Sequence, residues 1–500
     1  MGHHPGSLKT GQERNGSRMV FSSHVFLFYF LPLTLLLYYV TPMRWKQPLI
    51  TVLSYVFYGW ANPWFVLLML FSTLNDYVCG LMIAGKWNPI GTIDKPDALG
   101  YISSPLQRKV AVFLSVFTNL GLLGFFKYFV FVQENMNWVL ETFGGEAMTL
   151  FKVTLPVGIS FYTFQSMSYS IDLYRGDAKP ARNLLDFSCY VALFPQLVAG
   201  PIVRYSDLAD QLSVRRHTFD KFARGAVFFM LGFAKKILLA NPMGEVADAA
   251  FNAGSIGCFD AWTGVTAYAF QIYFDFSGYS DMAIGLGLML GFNFPKNFDS
   301  PYHADSITNF WQRWHMSLST WLRDYLYIPL GGNRKGGLRT YVNLAAVMLL
   351  GGLWHGAKWN FVVWGAIHGS MLAFERMLGK DSFYRKLPNA LKVALTFVIV
   401  LFTWVFFRAV DLPSSMKYIG SMLGFGEPAA GAPLVGATMY TRDHLAAFGV
   451  CAFVTWGCRQ TWEHAKTVTP LKLALLIPLF VWSVLVMWTQ SFNPFLYFQF

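Results

Sequence analysis

Two histidines stand in segments otherwise suited to lipid or to a protein interior. His315 lies in Phe310-Trp-Gln-Arg-Trp-His315-Met-Ser-Leu-Ser-Thr-Trp-Leu-Arg-Asp-Tyr325, and His355 in Gly351-Gly-Leu-Trp-His355-Gly-Ala357. An ionisable side chain at membrane depth is costly, so each is a functional candidate. Imidazole has a reference pKa of about 6.5 and can take a proton from an alcohol at neutral pH and later return it. That chemistry is the chemistry of acyl transfer. General-base help is worth about 10²–10⁴-fold, and oxyanion-type donors a further ~10²–10³. A second imidazole, or Ser319, could orient the base or hydrogen-bond a thioester carbonyl. Gly356 beside His355 would let a backbone or a ligand approach closely. The cations near the His315 segment (Arg313, Arg323, Arg334 and Lys335) suit the phosphates of an acyl-CoA, although positive charge here also serves topology.

Those histidines need elements to hold them. On a helical wheel, Trp311, Trp314, His315, Leu318, Trp321, Leu322 and Tyr325 share one side, with Arg313, Ser317, Thr320 and Asp324 opposite. The pattern predicts one amphipathic helix over 309–325, with His315 at the inner edge of its apolar face. The run 341–357 then carries His355 into the membrane. Four other ionisable groups sit in apolar runs. His368 reads as a core histidine, Asp172 as a span-end carboxylate, and Asp275 with Asp281 as caps on a broken helix.

Composition fixes the class. Of 500 residues 54% are hydrophobic and 13% charged, against roughly 25% charged in soluble proteins. Mean hydropathy is +0.39, and aromatics reach 18%. The expectation is an all-α polytopic membrane protein with roughly eleven or twelve transmembrane helices. Apolar runs fall at about 24–40, 48–60, 64–84, 110–131, 154–173, 187–202, 225–241, 261–292, 341–357, 359–376, 393–408, 444–458 and 473–490. The net charge of +12 comes from Lys and Arg in short connections, the pattern of cytoplasmic loops, and argues against nucleic-acid binding. Connections 86–109, 174–186, 204–224 and 313–339 are thereby cytoplasmic, with 132–153 and 242–260 outside. Because basic connections flank the Pro195, Gly200 and Pro201 run on both sides, 187–202 is read as re-entrant. Residues 1–18 are polar, lack an apolar signal core and read as a disordered extension before a single membrane domain, 19–500. Gly424–Ala437 reads as an external loop. The five cysteines show neither zinc nor disulfide spacing, and no P-loop, serine nucleophile elbow or His-x4-Asp motif occurs.

The segments around both histidines resemble the membrane-bound O-acyltransferase (MBOAT) family, and within it the bacterial alginate O-acetyltransferase membrane subunits. Leu155-Pro-Val-Gly-Ile-Ser-Phe161, Phe194-Pro-Gln-Leu-Val-Ala-Gly-Pro201 and Tyr273-Phe-Asp-Phe-Ser-Gly-Tyr-Ser-Asp-Met-Ala-Ile-Gly285 carry the same resemblance. It covers about residues 19–410 well and the rest loosely. It implies tilted and re-entrant helices around a central tunnel, with His355 as the catalytic histidine and His315 as its partner. Trp314, Ser319, Trp354 and Asp281 are the expected tunnel-lining residues. No cofactor is implied. Acetyl-CoA would be the cytoplasmic donor, and a periplasmic SGNH-type acetyltransferase would pass acetyl to an exopolysaccharide such as an alginate-like or cellulose-like polymer. The location would be the bacterial inner membrane. Relatives that acylate peptidoglycan or load D-alanine onto teichoic acids share these motifs. Two readings from other classes, a transporter of polysaccharide or acyl donor and a scaffold for a periplasmic enzyme, predict function that survives loss of the histidines.

Overall fold

The computed structural model describes residues 19–379, 383–426, 432–490 and 492–496. The extension expected over 1–18 lies outside them. Within them the regular structure is helical, as the composition requires, and the helices that position the histidines are labelled α1–α11 here.

Trp64–Ala84 (α1) and Pro105–Thr142 (α2) open the bundle. Gly85 ends α1 in the left-handed conformation, and Ser104 caps α2 by accepting from the Gln107 N–H, with Pro105 in the first turn. Ile159–Arg175 (α3) follows, its entry turn set by Gly158 at φ 73° against the Leu197 carbonyl. Segment 187–202 holds only the short helices Leu184–Ala192 and Phe194–Leu197. Nine residues rise about 14 Å, too little to cross a bilayer. Its ends carry Arg182, paired with Asp186, and Arg204, paired with Asp324, a course that fits a re-entrant segment.

Phe219–Ala234 (α4) continues through a π-helical turn, Lys235–Ala240, into Asn241–Asn252. The connection expected over 242–260 is therefore mostly helix. Cys258–Met289 (α5) is an unbroken helix of 32 residues, most of them buried. It meets α4 backbone to backbone: a Cβ on Gly232 would lie 2.5 Å from the Gly278 carbonyl oxygen, and one on Gly285 2.5 Å from that of Gly225. Small residues permit this contact, which is how helices associate without a hydrophobic driving force between them.

Ile307–Arg313 (α6), Met316–Leu322 (α7), Gly337–His355 (α8), Trp359–Leu378 (α9), Asn389–Arg408 (α10) and Pro470–Thr489 (α11) complete the set. Helices α8 and α9 also meet through glycines, Gly352 on the Phe361 carbonyl and Gly365 on that of Met348. The expected loop Gly424–Ala437 is helical from Ala432 to Met439, and its residues 427–431 lie outside the described set.

Among the described residues, four helices are long and apolar enough to cross a membrane by length and composition alone: α1, α2, α10 and α11. Only 22% of the apolar window of α2 and 11% of that of α11 is buried in protein, so these two face outward. Phe26–Val40 is apolar but shorter, and α5, most of it buried in protein, is where glycines and carboxylates are tolerated at depth. The basic connections gather on one face: Tyr101 Oη donates to the Ala178 carbonyl (3.5 Å), Arg175 Nη1 to that of Asp324 (3.1 Å), and Gln211 Nε2 to that of Asn293 (3.3 Å). On the opposite face Trp359 Nε1 donates to Asn135 Oδ1 (2.9 Å).

Candidate active site

The expected helix over 309–325 is broken at His315. Trp314 is extended (ψ 128°) and His315 is left-handed, φ 43° and ψ 55°. A non-glycine residue there costs on the order of 1–3 kcal/mol and persists only where the surroundings impose it. Asn297 imposes it. Its carbonyl accepts from the Met316 N–H (2.8 Å), and its Oδ1 accepts from the Ser317 N–H (3.2 Å) and Ser317 Oγ (2.9 Å). His315 Nδ1 lies 3.1 Å from the same Oδ1. Because that oxygen is already the acceptor for two donors, Nδ1 carries the hydrogen that completes the contact. In the neutral ring, Nε2 is then left with the lone pair. The imidazole is fully buried, and among the described residues Nε2 has no hydrogen-bond partner.

His355 ends α8, about 27 Å along the helix from Gly337 at ~1.5 Å per residue. Its ring is held edge-on by Trp364 (5.3 Å) and Phe407 (5.2 Å). The last turn of α8 has carbonyls without intrahelical partners, and α2 satisfies them. Lys127 Nζ donates to the carbonyls of Trp354 and His355 (3.1 Å to the latter), and Tyr128 Oη to that of Leu353 (2.8 Å). A buried cation at a helix C-terminus is favoured by the helix dipole. Lys127 escaped the sequence reading, although a lysine inside the apolar run 110–131 was the signal that could have found it. Lys127→Met should cost about 10–100-fold in kcat, since leaving two buried carbonyls unmet costs about 1–3 kcal/mol each and displaces the ring three atoms away. Initial-rate kinetics check this, and Lys127→Arg should recover part of the loss.

The Trp354 indole lies between the two imidazoles, its ring 6.3 Å from that of His315 and 5.1 Å from that of His355. Phe161 and Phe164 of α3 pack on it. Phe276 touches the His315 ring (4.6 Å) and also lines a cavity beside His355.

Two cavities meet at His355. One, of about 190 Å³, opens at Arg323 and Tyr327 on the basic face and runs past Ser319 along α8. Leu344, Val347, Met348, Gly351 and His355 form its α8 wall, a spacing of three and four residues that makes one helical stripe. The other, of about 30 Å³, lies between His355, Trp314, Trp404 and Leu496. On the opposite face, a cleft of about 650 Å³ opens at Lys358–Asn360, with Trp138, Glu134 and Asp411.

Of the expected site residues, His355, Trp314, Ser319 and Arg323 border these cavities, whereas His315 and Trp354 stand behind the wall. Asp281 does neither: it pairs with Lys235 (2.7 Å) and accepts from Thr461 Oγ1 (2.7 Å). Asp275, not Asp281, reaches the inner cavity. Neither caps a broken helix, since α5 is continuous. Arg313 is spent on Asn309 Oδ1 (2.9 Å) and the Asp299 carbonyl (3.0 Å), whereas Arg334 and Lys335 are exposed on the turn before α8. Arg323, Arg204 and Arg175 surround Asp324, leaving an excess of positive charge at the cavity mouth. His368 bonds Trp311 Nε1 (3.3 Å) and Thr403 Oγ1 (3.1 Å), a core position as expected. Asp172 accepts from Tyr325 Oη (2.7 Å) near the end of α3.

The chain is similar to known proteins over most of its length. The model of the membrane-bound O-acyltransferase family matches residues 178–409. The probable alginate O-acetylase AlgI of Pseudomonas putida is 46% identical over 96% of this chain and 100% of its own length. That of Azotobacter vinelandii is 44% identical over the same shares. The peptidoglycan O-acetyltransferase of Helicobacter pylori is 34% identical over 81% of this chain and 80% of its own.

Proposed function

The chain belongs to the membrane-bound O-acyltransferase family, and from that premise we propose that it moves acetyl from cytoplasmic acetyl-CoA to the far side of a bacterial inner membrane, for O-acetylation of an exopolysaccharide. An O-acyltransferase needs a donor path, a base and an acceptor side. The observation that supports this assignment most is the position of His355 at the junction of two cavities, one of them opening at an arginine-rich mouth.

The positive-inside pattern assigns that mouth to the cytoplasm. The 3′- and pyrophosphate groups of CoA would rest against Arg323 and its neighbours, and the uncharged pantetheine arm would follow the apolar α8 stripe. The thioester then comes to His355. An acceptor hydroxyl arriving from the opposite side gives its proton to the imidazole as its oxygen bonds to the acetyl carbon. The carbon–sulfur bond breaks, and the imidazolium returns the proton to the departing thiolate. Atoms and charge balance without a cofactor. His315, with its lone pair on Nε2 and its ring behind Trp354, is a positioning residue that acts on His355 through the Trp354 indole. In that tautomer it is not an oxyanion donor. An alginate-like polymer is the acceptor that the names of the similar AlgI proteins support, with a cellulose-like polymer as the alternative; the carrier between membrane and polymer would be a periplasmic SGNH-type acetyltransferase.

Purified protein should turn over radiolabelled acetyl-CoA. Arg323→Ala should raise KM for acetyl-CoA about three- to tenfold with kcat little changed, because a partly exposed charge contributes about 0.2–1 kcal/mol per contact and the phosphates meet several. Turnover of D-alanyl carrier protein in place of acetyl-CoA would transfer the assignment to the D-alanyl branch of the family.

A further inference from the structure

The 30 Å³ cavity beyond His355 has an unusual wall. Trp314, Trp404 and Phe407 come from the central helices, but Phe495 and Leu496 come from the C-terminal segment. The described residues of that segment, 492–496, follow α11 and lie outside every long helix. A buried ion pair holds it. Lys236, in the π-helical turn, meets Asp275 of α5 (2.7 Å), with both side chains almost fully buried. Asp275 Oδ2 accepts from the Leu496 N–H (2.9 Å), and Lys236 Nζ donates to the Pro494 carbonyl. Asn493 Nδ2 adds a bond to the Ser22 carbonyl (2.9 Å), and Phe495 packs on Tyr279 (4.7 Å). Two charges in the core thus serve to hold two apolar side chains against the catalytic histidine. A π-helical turn at the anchor fits the frequent placement of such turns at functional sites.

We propose that Phe495 and Leu496 set the length of the acyl group this enzyme transfers, by closing the chamber beyond His355 to a two-carbon chain. The inference rests on the acyl-CoA reading above. A thioester delivered along the α8 stripe places its carbonyl at His355 and its acyl carbons in this chamber. On the scale where one water needs about 10–15 Å³, 30 Å³ holds a group of about two heavy atoms. Propionyl and butyryl tails would strike Leu496 or the Trp404 ring. Because the Leu496 backbone is bonded to Asp275, the segment does not yield as a free tail would.

The test compares kcat/KM for acetyl-, propionyl- and butyryl-CoA in wild type, Leu496→Val and Leu496→Ala, with melting in detergent as the check on folding. One methylene in an apolar pocket is worth about 10–200-fold in discrimination. The butyryl-to-acetyl ratio should therefore rise at least about tenfold in Leu496→Ala, and Leu496→Val, which removes least and keeps the fold, should favour propionyl. Parallel losses on all three thioesters, with the ratio unmoved in both variants, would overturn the proposal, since they mark a purely structural role. A wild type inert on every thioester would instead defeat the acyl-CoA reading, and the chamber proposal with it.

Discussion

His355→Ala should lower kcat for acetyl transfer by about 10²–10⁴-fold with little change in melting temperature. The magnitude is that of a lost general base. The small effect on stability follows from the site: His355 ends α8 and borders two cavities, so truncating its ring enlarges existing space and leaves no buried group unmet. His355→Gln, which keeps volume and polarity but cannot shuttle a proton, should be as inactive as the alanine variant. Transport or scaffolding without chemistry predicts retained function in both. His315→Ala should differ from His355→Ala in kind. It removes a group bonded to Asn297 at a left-handed position, so it should lose activity and some stability together. His315→Gly should regain the stability without the activity, because glycine takes that backbone conformation freely.

The largest loss of stability should come far from the histidines in sequence. Lys236→Met leaves the Asp275 carboxylate buried and unpaired, which costs about 3–5 kcal/mol. Asp275→Leu alone strands the ammonium and should cost a similar amount. The double variant Lys236→Met/Asp275→Leu should recover most of either loss, because a buried ion pair is replaceable by apolar groups of like volume. It should not recover acyl selectivity, since the Leu496 N–H still lacks its acceptor. Thermal unfolding in detergent of the two singles and the double gives the coupling directly. Independent, additive losses would show that the pair does not act as a unit.

Much of this site was legible in the sequence, and the failures have identifiable causes. His355 stood out because an imidazole in an apolar run is expensive, and Gly356 beside it signalled a close approach, which the Phe361 ring makes. His315 stood out for the same reason, but its conformation did not. The residues 309–325 keep a good helical period on either side of the break, and what breaks them is Asn297, eighteen positions earlier, through contacts that no local pattern carries. Lys127 was visible as a charge in an apolar run and was passed over. The exchange of Asp281 for Asp275 arose from rotation. Six residues apart on one helix, they project to different sides, and only the tertiary positions of Lys235 and Lys236 show which one faces the site. The chamber wall at Phe495 and Leu496 had no sequence signal, because a short non-helical segment gains its place from a distant ion pair.

The central claim is that donor and base meet at the inner end of the α8 stripe. A structure of the protein bound to a non-cleavable thioether analogue of acetyl-CoA tests it most directly. The account predicts the phosphates at Arg323, the pantetheine arm beside Leu344, Val347 and Gly351, and the carbon next to sulfur facing a His355 ring nitrogen with room for one hydroxyl oxygen between them. An analogue bound with its acyl end away from His355, or lying outside the cavity between α7 and α8, would contradict it.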